Sequence, residues 1–228
     1  MVEKQNIITI DGPSGAGKST ISKLLAARLY YTYLDTGAMY RVVGLMVKRT
    51  GLDLQAANSR EKLVQLLDSF DLKLAPGLEN QETRAFLNGE DVSETIRTPE
   101  MAMVASRVSA EPEVRTKLSD MQRVMGSKGA IVAEGRDMGT VVFPDAKYKF
   151  FLDATPEERA LRRQKQLLEK GQKVEYEEIL SQIRKRDQDD SSRSLAPLKP
   201  AADAIVIDSS EMSIEEVVSF MLAVIEKR

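Results

Sequence analysis

The stretch whose reading decides the fold is IITIDGPSGAGKSTISKLL, residues 7–25. An apolar run stops at Asp11, a loop of glycines and small residues follows, and Lys18, Ser19 and Thr20 open a helical pattern. The spacing Gly12, Pro13, Ser14, Gly15, Ala16, Gly17, Lys18, Ser19 fits G-x-x-x-x-G-K-[ST]. Glycines let the backbone turn tightly and offer successive N–H groups to phosphate oxygens. The helix start adds its partial positive charge. Lys18 is placed to reach the β- and γ-phosphates and the Ser19 hydroxyl to ligate Mg²⁺. A glycine turn before an ordinary helix is the bland alternative, but the strand before and the helix after it favour a bed for ATP phosphates over Gly12–Thr20. The loop alone does not choose between a kinase, a switch GTPase and a motor.

Working outward, NIITI (6–10), AIVA (130–133), YKFFLDA (148–154) and AIVID (204–208) read as buried parallel strands, and YYTYL (30–34) as a fifth. Amphipathic helical stretches separate several of them, the pattern of a doubly wound α/β fold. The interval 66–97 differs: DLKLA alternates, and RAFLNGEDVS contains Asn88-Gly89, a hairpin signal. It predicts a small antiparallel insertion. Residues 98–128 read as helical, with Pro112 fitting the first turn of a second helix. Two charged helical segments follow from Pro156 to about Asp190, joined near Lys170-Gly171-Gln172, then a proline-bearing connector, APLKPAAD (196–203). The last helix opens with Ser213 and Glu216 at capping-box spacing. No internal repeat stands out.

Composition narrows the chemistry. Among 228 residues there is no Cys and no His, so thiolates, imidazole bases and Ser-His-Asp triads are excluded. The 33 basic and 35 acidic residues give a net charge of −2, against a general nucleic-acid binder. No apolar run approaches the roughly 20 residues needed to span a bilayer. The opening MVEKQN carries no signal-peptide core, so the expectation is a soluble, cytoplasmic protein.

Two polar clusters fall at predicted strand ends, which face the ligand crevice in open α/β sheets. YLDTGAMYR (33–41) presents Asp35, Thr36, Tyr40 and Arg41, and AEGRDMGTVVFP (133–144) presents Glu134, Arg136 and Asp137. Singly, each has an ordinary explanation: Thr36 as a cap, Tyr40 as packing, Arg41 as a surface cation. Together, beside a phosphate loop, they point to a second substrate. No guanine-reading N/T-K-x-D follows a later strand, which counts against a switch GTPase. AIVAEGRD, with Glu134, is the nearest match to a motor's acidic strand end. The 159–193 segment is rich in arginine, including Arg159, Arg162, Arg163, Arg184, Arg186 and Arg193. Arg159 and Arg163 share a helix face at i, i+4. A salt-bridged solvated helix pair explains most of these residues; a lid closing arginines over a transferring phosphoryl group is the sharper reading.

At this point the chain resembles the bacterial cytidylate kinase family. The matching runs are ITIDGPSGAGKST, LDTGAMYR, GEDVSETIRTPEMAMVASRVSA, EGRDMGTVVFPDAKYKFFLDATPEERALRR, RDQDDSSRSLAPL and PAADAIVIDSS, in order over nearly the whole chain. The resemblance implies a P-loop nucleoside-monophosphate kinase on a five-stranded parallel sheet. It implies one kinase domain with a core (about 1–65, 98–155 and 194–228), a monophosphate-binding β insertion (about 66–97) and a lid (about 156–193). It also implies transfer from ATP, with Mg²⁺, to CMP or dCMP. Thr36, Arg41 and Arg136 match the family's CMP-phosphate positions, with Tyr40 beside them, though many relatives carry Ser where Thr36 stands. Ser106, Arg115 and Asp137 match the cytosine-reading positions. Arg186, Asp190 and Arg193 match positions near the ribose and phosphates, with Asp190 on the sugar hydroxyls.

The chemistry of that match is coherent. An Asp accepts from cytosine N4, while Arg and Ser donate to N3 or O2. Uracil would leave Asp137 facing O4 with no proton to share, worth about 10- to 100-fold in discrimination. The expected mechanism is in-line transfer to an already anionic phosphate, by positioning and charge neutralisation. Lys18, Arg41, Arg136 and Arg186 carry the neutralising charge, Arg159 and Arg163 belong to the lid, and Asp35 is placed to order a metal-bound water. A monomer is expected. The alternatives are a related P-loop kinase with another nucleotide or small-molecule acceptor, and a nucleotide-dependent switch that forms no diphosphate product.

Overall fold

The apolar run ahead of the phosphate loop becomes a strand that carries one residue beyond the run itself. β1 (Ile7–Asp11) is buried at every position, Asp11 included. The structure is a computed structural model and describes residues 6–77, 82–169 and 171–227. Outside the described residues lie the opening five positions, part of the 66–97 interval, Lys170 of the expected helix junction and Arg228.

β1 is the centre of a five-stranded sheet ordered β2 (Thr32–Asp35), β6 (Ile131–Gly135), β1, β7 (Tyr148–Asp153), β8 (Ile205–Asp208). Ile7 pairs with Ile131 and Ile8 with Tyr148, both in parallel register, and β7 pairs with β8 likewise. All five expected strands are present. The outer strand β8 departs from the expected two-sided burial: it ends the sheet, and Val206 is 59% exposed.

Contacts divide the chain into two units, one running to Leu34 and resuming at Gly126, the other Asp35–Met125. In the first unit, α1 (Lys18–Leu29) turns Ile21 and Leu25 onto the sheet at i, i+4 spacing. α8 (Ile214–Glu226) adds Val217, Val218 and Met221. These residues meet Ile8, Ile10, Val132, Phe150 and Leu152 in one core. Each large apolar side chain buried there contributes roughly 1.5–3 kcal/mol. The expected capping box closes α8: Glu216 N–H donates to Ser213 Oγ at 3.3 Å and Ser213 N–H to Glu216 Oε2 at 2.8 Å. α6 (Pro156–Glu169) and α7 (Tyr176–Ser191) pack through Ala160, Leu167, Ile179, Leu180 and Ile183, so these charged helices do bury an apolar seam.

The second unit holds α2 (Thr36–Thr50), α3 (Ser59–Asp68), α4 (Pro99–Val108) and α5, which opens at Pro112 as expected and runs to Gly126. Thr98 caps α4 by accepting from Met101 N–H at 3.2 Å. The antiparallel sheet is present as β3 (Leu72–Ala75), β4 (Arg84–Leu87) and β5 (Glu90–Asp91). Asn88 and Gly89 join β4 to β5 with φ of 51° and 84°. Two successive positive φ values are what a type I′ turn requires, and Asn-Gly supplies them at least cost. Among the described residues no helix is long and apolar enough to cross a membrane.

Candidate active site

The phosphate loop leaves β1 at Gly12, whose φ is +148° and where a Cβ would lie 1.9 Å from the Leu152 carbonyl oxygen. Only glycine fits that approach to β7. The loop ends on α1, where Lys18 is buried and its Nζ donates to the Pro13 carbonyl, while Ser19 and Thr20 are exposed on the first turn. Burial pushes the Lys18 ammonium well below its ordinary pKa. Arg136 and Arg186 push it the same way, against Glu134 and Asp11.

The neighbouring strand β6 ends at the same sheet edge and releases Arg136 and Asp137. A π-helical turn, Met138–Val142, follows: Val142 N–H donates to Asp137 O at 3.2 Å and Phe143 N–H to Met138 O at 2.7 Å. Such turns are rare and concentrate at functional sites. Asp11 holds this one, accepting from Met138 N–H at 2.8 Å and Gly139 N–H at 2.7 Å. Burial pushes the Asp11 carboxyl up to about 6, opposed by the two N–H groups and assisted by Asp137. Asp137 is itself 2% exposed. On β6, Glu134 accepts from the Tyr33 hydroxyl of β2.

Asp190, on α7, gathers the arginines expected around ribose and phosphate. It accepts from Arg136 Nε at 2.9 Å and from Arg193, and Arg186 Nε stands 4.0 Å away. Burial alone would raise its pKa, but the Arg136, Arg193 and Arg186 charges hold it below the usual carboxylate range. Arg186 also donates to Ser14 Oγ at 3.2 Å. The phosphate loop, the GRD turn and α7 therefore meet in one electropositive cluster.

Of the two arginines expected in a lid, Arg159 is 3% exposed and wholly engaged. Its Nε donates to Ala154 O at 2.8 Å and its Nη1 to Ser14 O at 3.1 Å, while both Nη atoms bind Asp187, at 3.0 and 2.6 Å. It ties α6 and α7 to the backbone of the phosphate loop. Burial pushes the Arg163 guanidinium below its ordinary pKa. Lysine keeps the charge at position 159 but lacks the planar fork. Arg159→Lys is therefore expected to lower the unfolding free energy by about 1–2 kcal/mol in urea titration. An unchanged midpoint would show that this set of contacts adds nothing.

In the second unit, Asp35 caps α2 by accepting from Ala38 N–H at 2.8 Å and pairs with Arg41 at 3.3 Å; Thr36, the first helical residue, is buried. Arg115 lies over the Tyr40 ring, 5.9 Å from its centroid, and donates to Ser109 O at 3.0 Å. Ser109 Oγ in turn donates to Ser106 O at 2.7 Å, so Ser106, Arg115 and Tyr40 belong to one neighbourhood.

Sequence reading passed over Asp11 and Asp187. A charged residue closing an apolar strand was a usable signal for Asp11. Asp187 sits among several carboxylates in RDQDD, and nothing local singles it out. Among the described residues no group of three or more acidic side chains gathers to hold a metal. The Ser19 hydroxyl, exposed on the first turn of α1, is an oxygen of the kind Mg²⁺ takes alongside water and substrate phosphates.

The profile of the cytidylate kinase family matches residues 8–227. A cytidylate kinase of Carboxydothermus hydrogenoformans is 48% identical over 221 residues, 97% of each chain. One from Caldicellulosiruptor bescii is 50% identical over 220 residues, covering 96% of this chain and 95% of its own. Among solved structures, a shikimate kinase from Bacteroides thetaiotaomicron aligns with a TM-score of 0.51 at 15% identity, covering 96% of this chain and 98% of its own. That likeness concerns the fold.

Proposed function

The chain belongs to the cytidylate kinase family, and on that premise we propose that it transfers the γ-phosphoryl group of ATP to CMP or dCMP, giving ADP and CDP or dCDP. The observation that carries the reading is the convergence of Arg136, Arg186 and Arg193 on Asp190, with Arg186 also reaching Ser14 of the phosphate loop. Such a cluster neutralises anionic oxygens on both sides of a transferring phosphoryl group.

In this reading Gly12–Thr20 bind the ATP phosphates, and Lys18 follows the charge that develops on the β- and γ-oxygens. Thr36, Arg41 and Arg136 hold the CMP phosphate, with Tyr40 beside them. Ser106, Arg115 and Asp137 read cytosine, and Asp190 and Arg193 serve the sugar. Arg186 covers the transferred group, and Arg159 and Arg163 belong to the lid. Ser19 would hold Mg²⁺ and Asp35 would order a water beside it; the ion would supply charge screening of the polyphosphate. No general base is needed, because the attacking phosphate oxygen is already anionic. The residues of about 66–97 form the monophosphate-binding insertion and those of about 156–193 the lid. The enzyme acts as a cytoplasmic monomer.

A coupled assay of the purified protein against CMP, dCMP, UMP, AMP and GMP tests the reading. Cytidine nucleotides are expected to be preferred over UMP by at least about tenfold in kcat/KM. Equal or faster turnover of UMP or AMP removes the cytosine assignment.

A further inference from the structure

Asp11 is the last residue of β1, and its backbone continues directly into Gly12, the first residue of the phosphate loop. Its side chain reaches a turn 127 residues away and accepts both Met138 N–H and Gly139 N–H, one on each oxygen. Those two donors belong to the π-helical turn that immediately follows Arg136 and Asp137. One buried residue thus joins the start of the donor loop to the loop read here as holding the acceptor.

The choice of side chain is informative. Each of the two adjacent N–H groups has its own acceptor oxygen on Asp11. A carboxylate has two, whereas an asparagine of the same shape has one and would turn its own N–H₂ toward the other donor. Burying a carboxylate in a central strand is unfavourable, and here burial raises its pKa to about 6 in spite of both hydrogen bonds. An apolar residue would serve strand stability better. The groups facing the carboxylate are Lys18, Asp137 and the two N–H donors, and Thr9 Oγ1 lies next to Gly139 on the same side.

From this geometry we infer that Asp11 is a positioning residue for the transfer: its carboxylate fixes the Met138–Gly139 backbone, and through it the presentation of Arg136 and Asp137 to the acceptor. The inference rests on the reading that Arg136 and Asp137 hold CMP. Asp11 touches no substrate; it acts through the turn.

Asp11→Asn, studied by steady-state kinetics and by amide hydrogen exchange of the whole protein, tests it. KM for CMP is expected to rise about tenfold, and preference for CMP over UMP to fall, while KM for ATP, which feels only the lost Asp11 charge beside Lys18, rises by less than that. Exchange at Met138 and Gly139 N–H should accelerate, with Ile8 and Ile10 of β1 still protected. A general loss of stability would instead raise both KM values together and expose β1, and that result, or an unchanged KM for CMP, overturns the inference. Asp137→Ala, assayed alongside, separates the two levels. If it loses CMP preference while Asp11→Asn does not, positioning by Asp11 fails and the acceptor reading stands. If it keeps that preference, the acceptor reading fails, and the inference drawn from it is overturned. Should Asp11→Asn not fold, the wild-type exchange decides: Met138 and Gly139 amides exchanging as fast as an open loop would overturn the inference.

Discussion

Lys18→Ala is expected to lower kcat/KM by about 10³-fold, within the range for losing a cation that stabilises a transferring phosphoryl group. The side chain is 7% exposed and its ammonium is held by the Pro13 carbonyl, so it is already ordered before substrate arrives. Its charge is the unusual feature. Burial depresses the pKa, Arg136 and Arg186 depress it further, and Glu134 and Asp11 only partly compensate. The polyphosphate of ATP adds the negative charge this environment lacks and raises the pKa again. Above the depressed free-state pKa, ATP binding must therefore take up a proton, and affinity for ATP must fall as pH rises through that value. Titration calorimetry in buffers of different ionisation enthalpy reads the proton directly. The uptake should grow toward alkaline pH and vanish in Lys18→Ala. Buffer-independent heats across the alkaline range, or proton release, would show that Lys18 is fully charged before ATP binds.

What the sequence disclosed and what it withheld divide along a physical line. The phosphate loop was legible because its constraint is local: glycines, a lysine and a hydroxyl at fixed spacing between a strand and a helix. The Asn88-Gly89 hairpin was legible for the same reason, since the type I′ turn is a property of two adjacent residues. The five strands could be read from buried apolar runs, although β8 shows that such a run does not reveal whether its strand lies at the sheet edge. Asp11, Arg159 and Asp190 were different. Asp11 looked like the end of an apolar run, yet its partners are Met138 and Gly139. Arg159 stands in an arginine-rich helical segment, but its ties to Asp187 and Ser14 span 28 and 145 residues. Asp190 was placed near the sugar by family resemblance. That its carboxylate also balances the arginine cluster is a fact of three dimensions, with Arg136 reaching it across 54 residues.

Asp190→Ala should therefore affect stability as well as turnover. The carboxylate is 1% exposed and is the common counter-ion of Arg136 and Arg193, with Arg186 at 4.0 Å. Removing it leaves three guanidinium groups facing one another, and breaking a buried pair in this way costs about 3 kcal/mol or more. The pH dependence has a definite sign. Because the folded pKa is held below the ordinary 3.8, the contribution is complete above that value and is lost as pH falls through the folded pKa. Urea unfolding at neutral pH should show the full difference between wild type and variant, and the difference should shrink only in acid. Ligand dependence discriminates further. The uncompensated arginines of the variant should bind anions better, so inorganic phosphate at millimolar concentration should raise its Tm more than that of the wild type. CMP phosphorylation should still fall, because the arginines lose the group that fixes their directions. If the variant matched wild-type stability without phosphate, the cluster would hold together without Asp190. The carboxylate's role would then lie with the sugar hydroxyls alone, and the loss would appear in KM for CMP without any change in the unfolding midpoint.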